Sequence, residues 1–540
     1  MFTSAARRPR LLYALGALAL ALPWLVYPSL FAADEYVHVY NAEVLRAMLA
    51  DAGSRYHDWF EINRFPEPNW FGHAWLLAVG ALSPSWFAEK GFVALVALAN
   101  GYAFLGTRGS GFSVSSPLTG ETRAEPTQDT LFAPLAALLA LVFWLSAVWQ
   151  FGFVNYLLGM AFCFAGLRHT AGREANLPYF AWAVLLYFCH PIALLLFLGV
   201  VTLRSMVVRG SITDRLSPKP GDWGALLTDT LLRFGLPLAL FVAYVLRNTE
   251  VSTLSGASPY RLLEMLLYHR RLILFDEAGE SPIAKVIMLL TLAALLLGAR
   301  HFARRWDARR LVGAALLAVL LGSILLVPDY LVGGAIIHQR LMPVAFVAAL
   351  WVGVAVRDRV DVEQRTVVPS RIALTVLLLA VFSLSAKRVL ALRPVAAVYA
   401  GLEDFAQSIP EGAVVLPANG FVAGLTGGDS LARSPVFHHF AAHVGARRSL
   451  VLLDNYEAFV GYFPLRWREG RSPFAACGRG IEAHPLSLPR ECADYITQEA
   501  EYVLVLGTLE GALDASTYEW LVPRLREAAR TNDFALYEVR

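Results

Sequence analysis

The stretch Leu11 to Phe31, LLYALGALALALPWLVYPSLF, is followed after two alanines by two adjacent carboxylates, Asp34 and Glu35. A helix that crosses a membrane needs ~20 predominantly apolar residues, and this stretch has that length and composition. Carboxylates are disfavoured beside lipid unless water, a partner or a function holds them there. The acidic pair is therefore a functional candidate, and the alternative is an ordinary acidic loop beside a helix.

The whole chain has the composition of a polytopic membrane protein. Of its 540 residues, 57% are hydrophobic and 16% are charged, and the mean hydropathy is +0.51. The net charge is only +3, and no run of Lys and Arg is long enough to indicate nucleic-acid binding. We therefore expect membrane lipids as partners and no nucleic acid, while the composition identifies no partner protein.

Hydropathy predicts a mainly α-helical bundle of ~11 transmembrane helices. The predicted spans lie near residues 11 to 31, 86 to 106, 130 to 150, 151 to 168, 179 to 190, 191 to 208, 225 to 247, 282 to 300, 309 to 327, 336 to 356 and 371 to 391. Lys and Arg collect before the first span and in alternate loops, which indicates a cytoplasmic N-terminus. A cleaved signal peptide is the alternative for the first span, but the many later spans favour a retained helix.

Two regions are predicted to face outward, on the periplasmic side of a bacterial inner membrane. The first is the acidic loop 32–70, where residues 42 to 49, and then 70 to 82 beyond it, have the mixed character of helices lying in the membrane interface. The second begins after Arg393, where Gly, Pro and charged residues become frequent. We predict a transmembrane domain over 1–393 and a soluble C-terminal α/β domain over 394–540.

Short apolar runs in the C-terminal region predict buried strands at Val414 to Leu416 and Tyr502 to Leu506. Helical patterns lie between them and beyond, including 398 to 408 and 520 to 530. Cys477 and Cys492 both fall in this region, and an outward-facing domain is in an oxidising compartment, so a disulfide between them is expected. No Cys/His spacing in the sequence is typical of a zinc site.

Five short motifs occur in an order that resembles a known family. They are Asp34-Glu35 after the first helix, FPEPNW at 65 to 70, FGFVNYLLG at 151 to 159, His190-Pro191 between short helices, and HQRLMP at 338 to 343. Their order and membrane side resemble the GT-C glycosyltransferases, and most closely the bacterial relatives of protein mannosyltransferases and aminoarabinose transferases. These enzymes take sugars from polyprenyl-phosphate carriers.

The resemblance implies that Asp34, in the pair with Glu35, is the catalytic base, and that Arg340 contacts the donor phosphate. The chemistry requires these residue types, because a carboxylate can take the acceptor's proton while fixed cations stabilise the departing phosphate. A guanidinium can hold two phosphate oxygens at once. The structural alternative for Arg340 is an arginine that anchors its helix at the interface.

Further phosphate candidates are His338, in the same motif, and the outward-loop pair Arg270 and Arg271, for which a solvated basic helix end is the alternative. The chain also departs from the family at three positions of the expected substrate pocket. Asn155 stands where relatives often carry an acid. Many relatives have a Lys before the proline motif of the first outward loop, and the nearest cation here is Arg64. At the break between the short helices, His190 stands where a Lys is usual. A hydrogen-bonded histidine at a Pro-broken helix end is the alternative for His190.

The sequence thus predicts a membrane glycosyltransferase that moves a sugar from a polyprenyl-phosphate-linked donor to a lipid, glycan or protein acceptor. A divalent cation at Asp34 and Glu35 would be compatible with this chemistry. A transporter or flippase would also place charges within the membrane, although no inverted repeat is evident. A non-catalytic assembly protein that retains the fold is the third alternative, since fold does not guarantee function.

Overall fold

The computed structural model describes residues 4–28, 34–83, 85–105, 135, 138–142, 149, 151–170, 175–208, 220–248, 265, 277–303, 308–327, 337–357, 367–420 and 436–540. Contacts among the residues divide the chain into two compact units. Unit 1 comprises Met1–Leu22, Ala94–Trp149 and Val154–Lys387. Unit 2 comprises Pro23–Val93, Gln150–Phe153 and Arg388–Arg540.

Helices dominate the described part of the chain. In chain order they are α1 (Ser4–Val26), α2 (Glu35–Ala50), α3 (Tyr56–Trp59), α4 (Trp70–Gly80), α5 (Ser85–Leu105), α6 (Val154–His169), α7 (Asn176–Cys189), α8 (Pro191–Val208), α9 (Pro220–Arg247), α10 (Glu277–Ala303), α11 (Ala308–Leu326), α12 (Ile337–Arg357), α13 (Val367–Phe405), α14 (Ala442–Gly445), α15 (Tyr456–Val460), α16 (Pro473–Cys477), α17 (Ala493–Glu499), α18 (Leu509–Ala512) and α19 (Ala515–Leu521). The strands are β1 (Phe60–Ile62), β2 (Val414–Asn419), β3 (Val451–Leu452), β4 (Leu465–Trp467), β5 (Tyr502–Leu506), β6 (Leu525–Arg530) and β7 (Phe534–Val539).

The apolar segments predicted as membrane spans are helical over most of their described residues, although the helix predicted from residue 151 begins at Val154. Among the described residues, three helical segments are long and apolar enough to cross a membrane, namely Leu227–Arg247, Gly279–Leu297 and Ile372–Ser408. The segment 130 to 150 lies mostly outside the described residues, and the number of ~11 crossings stays a prediction. α13 continues past Arg393, so the predicted domain boundary there falls inside a helix.

Unit 1 is a packed set of helices in which α6 lies against α7 and α8, α7 against α9, and α12 against α10 and α11. The break between α7 and α8 follows from Pro191, which has no N–H to continue α7 but suits the first position of a new helix. Gly159 of α6 packs against this break, since a Cβ there would lie 3.1 Å from the Cys189 Cβ and 3.4 Å from the His190 Cβ. Gly159, the second glycine of the FGFVNYLLG motif, therefore permits close contact between α6 and the break between α7 and α8.

Unit 2 contains a five-stranded sheet in the order β3-β2-β5-β7-β6. β3, β2 and β5 are parallel, whereas β7 and β6 are antiparallel to their neighbours. Both predicted strands are confirmed: they are the central β2 and β5, and their nearly continuous burial explains their unbroken apolar runs.

The prediction of a helix over 520 to 530 is wrong. Helix α19 ends at Leu521, Pro523 follows within a 3₁₀ turn, and Leu525–Arg530 forms β6. Pro523 has no N–H to donate to the preceding helical turn, and the free edge of β7 offers backbone partners to the segment beyond it. Most side chains of β6 are exposed, and its charged residues suit an edge strand, because charges discourage pairing with other chains.

The outward loop and the C-terminal region pack together inside unit 2. β1 pairs antiparallel with β4, with Phe60 opposite Trp467. The Tyr40 hydroxyl of α2 donates to the Leu450 carbonyl at 2.8 Å. Segments that share a strand ladder must lie on the same side of a membrane, so loop 34–83 and the C-terminal region have one sidedness.

That sidedness gives a first prediction. Cysteine probes at Ser54 and Ser516 should both be labelled by an impermeant reagent added from outside, because the Lys/Arg asymmetry places both segments there. A probe at Ser217, in a basic segment outside the described residues, should react only after the cytoplasmic face is opened. Native thiols should give little background, since Cys163 and Cys189 are buried. Labelling of Ser54 and Ser516 only in opened cells would contradict the orientation.

The two remaining cysteines, Cys477 and Cys492, form a disulfide with their Cα atoms 4.8 Å apart. The bond joins the end of α16 to the 3₁₀ turn Arg490–Cys492, which leads into α17. Closing this loop restricts the unfolded chain and so contributes to the stability of unit 2.

Candidate active site

Asp34 and Glu35 lie where the chain enters α2. Asp34 precedes the helix, its side chain does not cap it, and its residue is half-buried. Glu35 is the first helical residue and is buried. The Asp34 N–H donates to the Phe151 carbonyl at 3.3 Å. The structure thus brings the acidic pair into contact with the FGFVNYLLG motif, two features that the sequence presented separately.

Gly152 makes this contact sterically feasible. Its φ is +79°, and a Cβ at this position would lie 2.6 Å from the Asp34 nitrogen and 2.8 Å from the Glu35 nitrogen. Both the backbone conformation and the close approach require glycine. Gly152 therefore determines where the Asp34 backbone can lie.

A second prediction concerns this glycine. Gly152→Ala should lower the melting temperature more than Gly470→Ala, by the equivalent of about 1–3 kcal/mol for the forced overlap. Gly470 is a matched control because its φ is +77° and a Cβ added there would meet no atom of the described chain within 4 Å. Each variant adds the same methyl group in a left-handed conformation. Equal melting temperatures for the two variants would show that the Asp34 turn tolerates displacement.

The buried face of α2 carries three polar residues at helical spacing, Glu35, His38 and Asn41. Residues three apart are neighbours on a helix surface, so His38 lies between Glu35 and Asn41. Glu457, a fully buried residue at the start of α15, contacts both His38 and Asn41. The Asn41 amide donates to Glu457 Oε2 at 2.6 Å.

Glu457 also contacts two imidazoles. His38 Nδ1 forms an ion pair with Glu457 Oε1, and His73 Nε2 of α4 lies 3.2 Å from Glu457 Oε2. Burial raises the pKa of Glu457, but His38 and His73 outweigh burial and lower it to about 2. Burial lowers the pKa of His38, but Glu457 reverses that effect and the pKa is raised overall. The pKa of His73 is lowered by burial.

Asp34 acts electrostatically on this cluster and on two further groups. Asp34 adds to the forces that raise the pKa of His38. Burial, with smaller contributions from Asp454 and Asp34, raises the pKa of Glu482 to about 8 against the opposing effect of Arg479. Burial and then Asp34 also raise the pKa of Tyr456. Burial thus favours the neutral form of both Glu482 and Tyr456.

The opposite face of α2 lines a cavity of about 250 Å³ within unit 2. Tyr36, Glu43 and Arg46 line it from α2, together with Glu89 and Arg447. Charges of both signs make this cavity suitable for a polar group rather than a lipid tail. Helix α2, which contains the segment 42 to 49 predicted to lie in the interface, thus has a polar cavity on one face and a buried hydrogen-bonded cluster on the other.

Unit 1 holds the second group of predicted site residues. Arg340 Nη1 lies 3.2 Å from His190 Nε2, and both residues are buried. The Ile192 N–H donates to His190 Nδ1 at 3.2 Å. The Tyr156 hydroxyl donates to the Arg340 carbonyl at 2.6 Å, and its ring meets the His190 ring edge to face. Three of the five motifs therefore converge on Arg340 and His190.

The remaining predicted residues are more dispersed. Asn155 is buried beside Tyr156 on α6, and His338 is buried two residues before Arg340 on α12. Arg64 is exposed in unit 2. Arg270 and Arg271 lie outside the described residues. The assigned roles of all these residues stay predictions.

Sequence reasoning missed His73, Glu457 and Glu482. His73 interrupts an otherwise apolar helix, and this isolated polar residue is the one signal that the sequence offered. Glu457 lies 384 residues from His73 in a segment without a motif, so only the folded chain reveals their contact.

Comparison with known proteins gives limited similarity. No protein-family model and no curated protein matches the sequence. Among solved structures, the chain is similar to the crystal structure of ArnT from Cupriavidus metallidurans bound to undecaprenyl phosphate, with 11% sequence identity and a TM-score of 0.44. The match covers 98% of this chain and 97% of that chain. The chemistry of this chain must therefore be inferred from its own residues.

Proposed function

We propose that the chain is a membrane glycosyltransferase that uses a polyprenyl-phosphate-linked sugar as its donor. The acceptor is a hydroxyl or amine of a lipid, glycan or protein, and transfer takes place on the outer face of the membrane. The proposal rests on the chemistry of two groups of residues, Asp34 with its neighbours in unit 2 and Arg340 with His190 in unit 1.

The arrangement of hydrogen-bond donors around His190 carries the proposal. A neutral imidazole can accept at only one of its ring nitrogens. Nδ1 accepts from Ile192, the second residue of α8, as a side chain preceding a helix commonly does. We place the ring proton on Nε2, which lies 3.2 Å from Arg340 Nη1. In this tautomer the guanidinium and the imidazole N–H are both donors, and a phosphate oxygen is an acceptor suited to both.

Asp34 supplies the complementary function. A half-buried carboxylate at the entry to α2 can accept a proton from an acceptor hydroxyl or amine. Burial raises the pKa of Glu482 to about 8, and Asp34 contributes to that rise, so the two carboxyl groups interact electrostatically. A carboxyl group with a shifted pKa beside the proposed base is typical of acid–base sites.

In the proposed reaction, the acceptor heteroatom forms a bond to the anomeric carbon as the bond from that carbon to the phosphate oxygen breaks. The acceptor's proton passes to Asp34, and the bonding electron pair leaves with the phosphate. Arg340 and the His190 N–H stabilise the charge that develops on the departing phosphate. The free polyprenyl phosphate and the glycosylated acceptor are the products.

Binding of the leaving group tests this function without knowledge of the sugar. Purified full-length protein should bind polyprenyl phosphate in native mass spectrometry in preference to the corresponding polyprenol, because Arg340 and His190 recognise the phosphate. Equal binding of the phosphate and the alcohol would contradict the proposal. The sugar and acceptor can then be sought by presenting phosphate-linked hexoses and pentoses to the reconstituted protein.

The same reconstituted protein distinguishes the alternatives. A flippase would move the labelled donor lipid across the vesicle membrane without forming a new glycosidic bond. A non-catalytic assembly protein would neither move nor consume the donor. Release of polyprenyl phosphate coupled to a glycosylated product supports the transferase and excludes both.

A further inference from the structure

We propose that His38, His73 and Glu457 form a binding site for a divalent transition metal of the zinc type. One potential ligand atom from each residue lies within 4.8 Å of the other two. The three side chains are all buried and come from three elements, α2, α4 and α15. This site is distinct from the cation site expected at Asp34 and Glu35, which stays a prediction.

The ligand set determines the metal class. Two imidazole nitrogens and one carboxylate oxygen suit zinc and its neighbours, whereas calcium and magnesium favour oxygen ligands. Around a tetrahedral zinc with bonds of roughly 2.0–2.2 Å, ligand atoms lie roughly 3.3–3.6 Å apart. His73 Nε2 and Glu457 Oε2 are already 3.2 Å apart. Three protein ligands would leave a fourth position for water or another ligand.

Residues around the three ligands hold them in place. Asn41 donates to Glu457 Oε2 at 2.6 Å, and Asn455 in turn donates to Asn41 Oδ1 at 2.8 Å. The Phe463 ring lies 5.7 Å from the His38 ring and 5.6 Å from the His73 ring, between centroids. Metal sites typically combine such hydrogen-bonded ligands with an apolar wall that limits access by water.

The local charge also favours a dication. The buried Glu457 carboxylate contacts two imidazoles and the neutral Asn41 amide, and Asp34 and Glu35 add negative potential at His38. A divalent ion compensates three carboxylates more completely than one imidazolium does. Because the ligands belong to segments far apart in sequence, the bound ion would tie the outward loop to the C-terminal region and stabilise unit 2.

Metal content provides the first test. Full-length protein is stripped with chelator, incubated with Zn²⁺, freed of excess by gel filtration, and measured by inductively coupled plasma mass spectrometry. We expect wild type to retain one more zinc per chain than Glu457→Gln. His484→Gln is the matched control, because His484 and His438 form another imidazole pair in unit 2, 2.8 Å apart, and its zinc content should equal that of wild type. Equal zinc in wild type and a folded Glu457→Gln would overturn the site.

A second measurement needs no variant. Co²⁺ bound to the wild-type protein should give the intense visible absorption of a four-coordinate ion, and Zn²⁺ should displace it and raise the melting temperature. A weak, six-coordinate spectrum, or no bound cobalt, would mean that His38, His73 and Glu457 form only a hydrogen-bonded cluster. Since neither readout requires sugar transfer, failure of the metal site would leave the proposed transferase function untouched.

Discussion

Asp34→Asn should reduce sugar transfer by about 10²–10⁴-fold, because the amide preserves the shape of the side chain but cannot take the acceptor's proton. Binding of polyprenyl phosphate should be nearly unchanged, since Asp34 is not among the groups proposed to hold the phosphate. The measurement is transfer from a verified donor by purified protein, beside its melting temperature. Wild-type transfer by a folded Asp34→Asn protein would refute the role of this carboxylate as the base.

Two other variants show whether the loss of transfer is specific to Asp34. Glu35→Gln should have a smaller effect, because Glu35 is a buried residue of α2 rather than the half-buried residue before it. Asp51→Asn is the matched control at the other end of α2, where Asp51 accepts from the Gly53 N–H at 2.8 Å. Its transfer activity should equal that of wild type. A loss in Asp51→Asn as large as in Asp34→Asn would indicate a general effect on α2.

Arg340→Ala should weaken both phosphate binding and turnover. A hydrogen bond to a charged group contributes about 1.5–3 kcal/mol, which corresponds to roughly 10- to 150-fold in affinity for polyprenyl phosphate. Arg340→Lys should recover only part of this loss, because an ammonium retains the charge without the planar fork that can meet two oxygens. Titrations of the phosphate lipid on both purified variants, with melting temperatures alongside, measure the difference.

The structural alternative for Arg340 predicts a different pattern. An arginine that only anchors α12 would be replaced by Lys almost fully, and Ala would lower the melting temperature without changing the affinity of the folded protein. Arg233 is a suitable control in unit 1, since its guanidinium donates to Asn176 at 2.9 Å and lies over the Tyr179 ring. Arg233→Ala should lower stability while leaving phosphate affinity unchanged.

Much of the architecture could be predicted because it depends on local properties of the chain. Apolar segments of helical length became helices, and the unbroken apolar runs at β2 and β5 became buried strands. The segment 520 to 530 shows the limit of this reasoning. Its residues have a helical pattern, but Pro523 interrupts the helix and the free edge of β7 pairs with the following residues, which form β6.

The candidate site likewise has features that the sequence alone reveals and contacts that only the folded chain reveals. The sequence by itself determined which residues were chemically unusual for their surroundings, above all Asp34 shortly after an apolar segment and Arg340 at the start of an apolar helix. Only the tertiary structure placed Gly152 against Asp34 and Glu457 between His38 and His73. The reason is that a buried polar side chain needs a partner, but neither its own residue type nor its neighbours in sequence specify which distant segment will supply one. That choice is made by the packing of the whole unit.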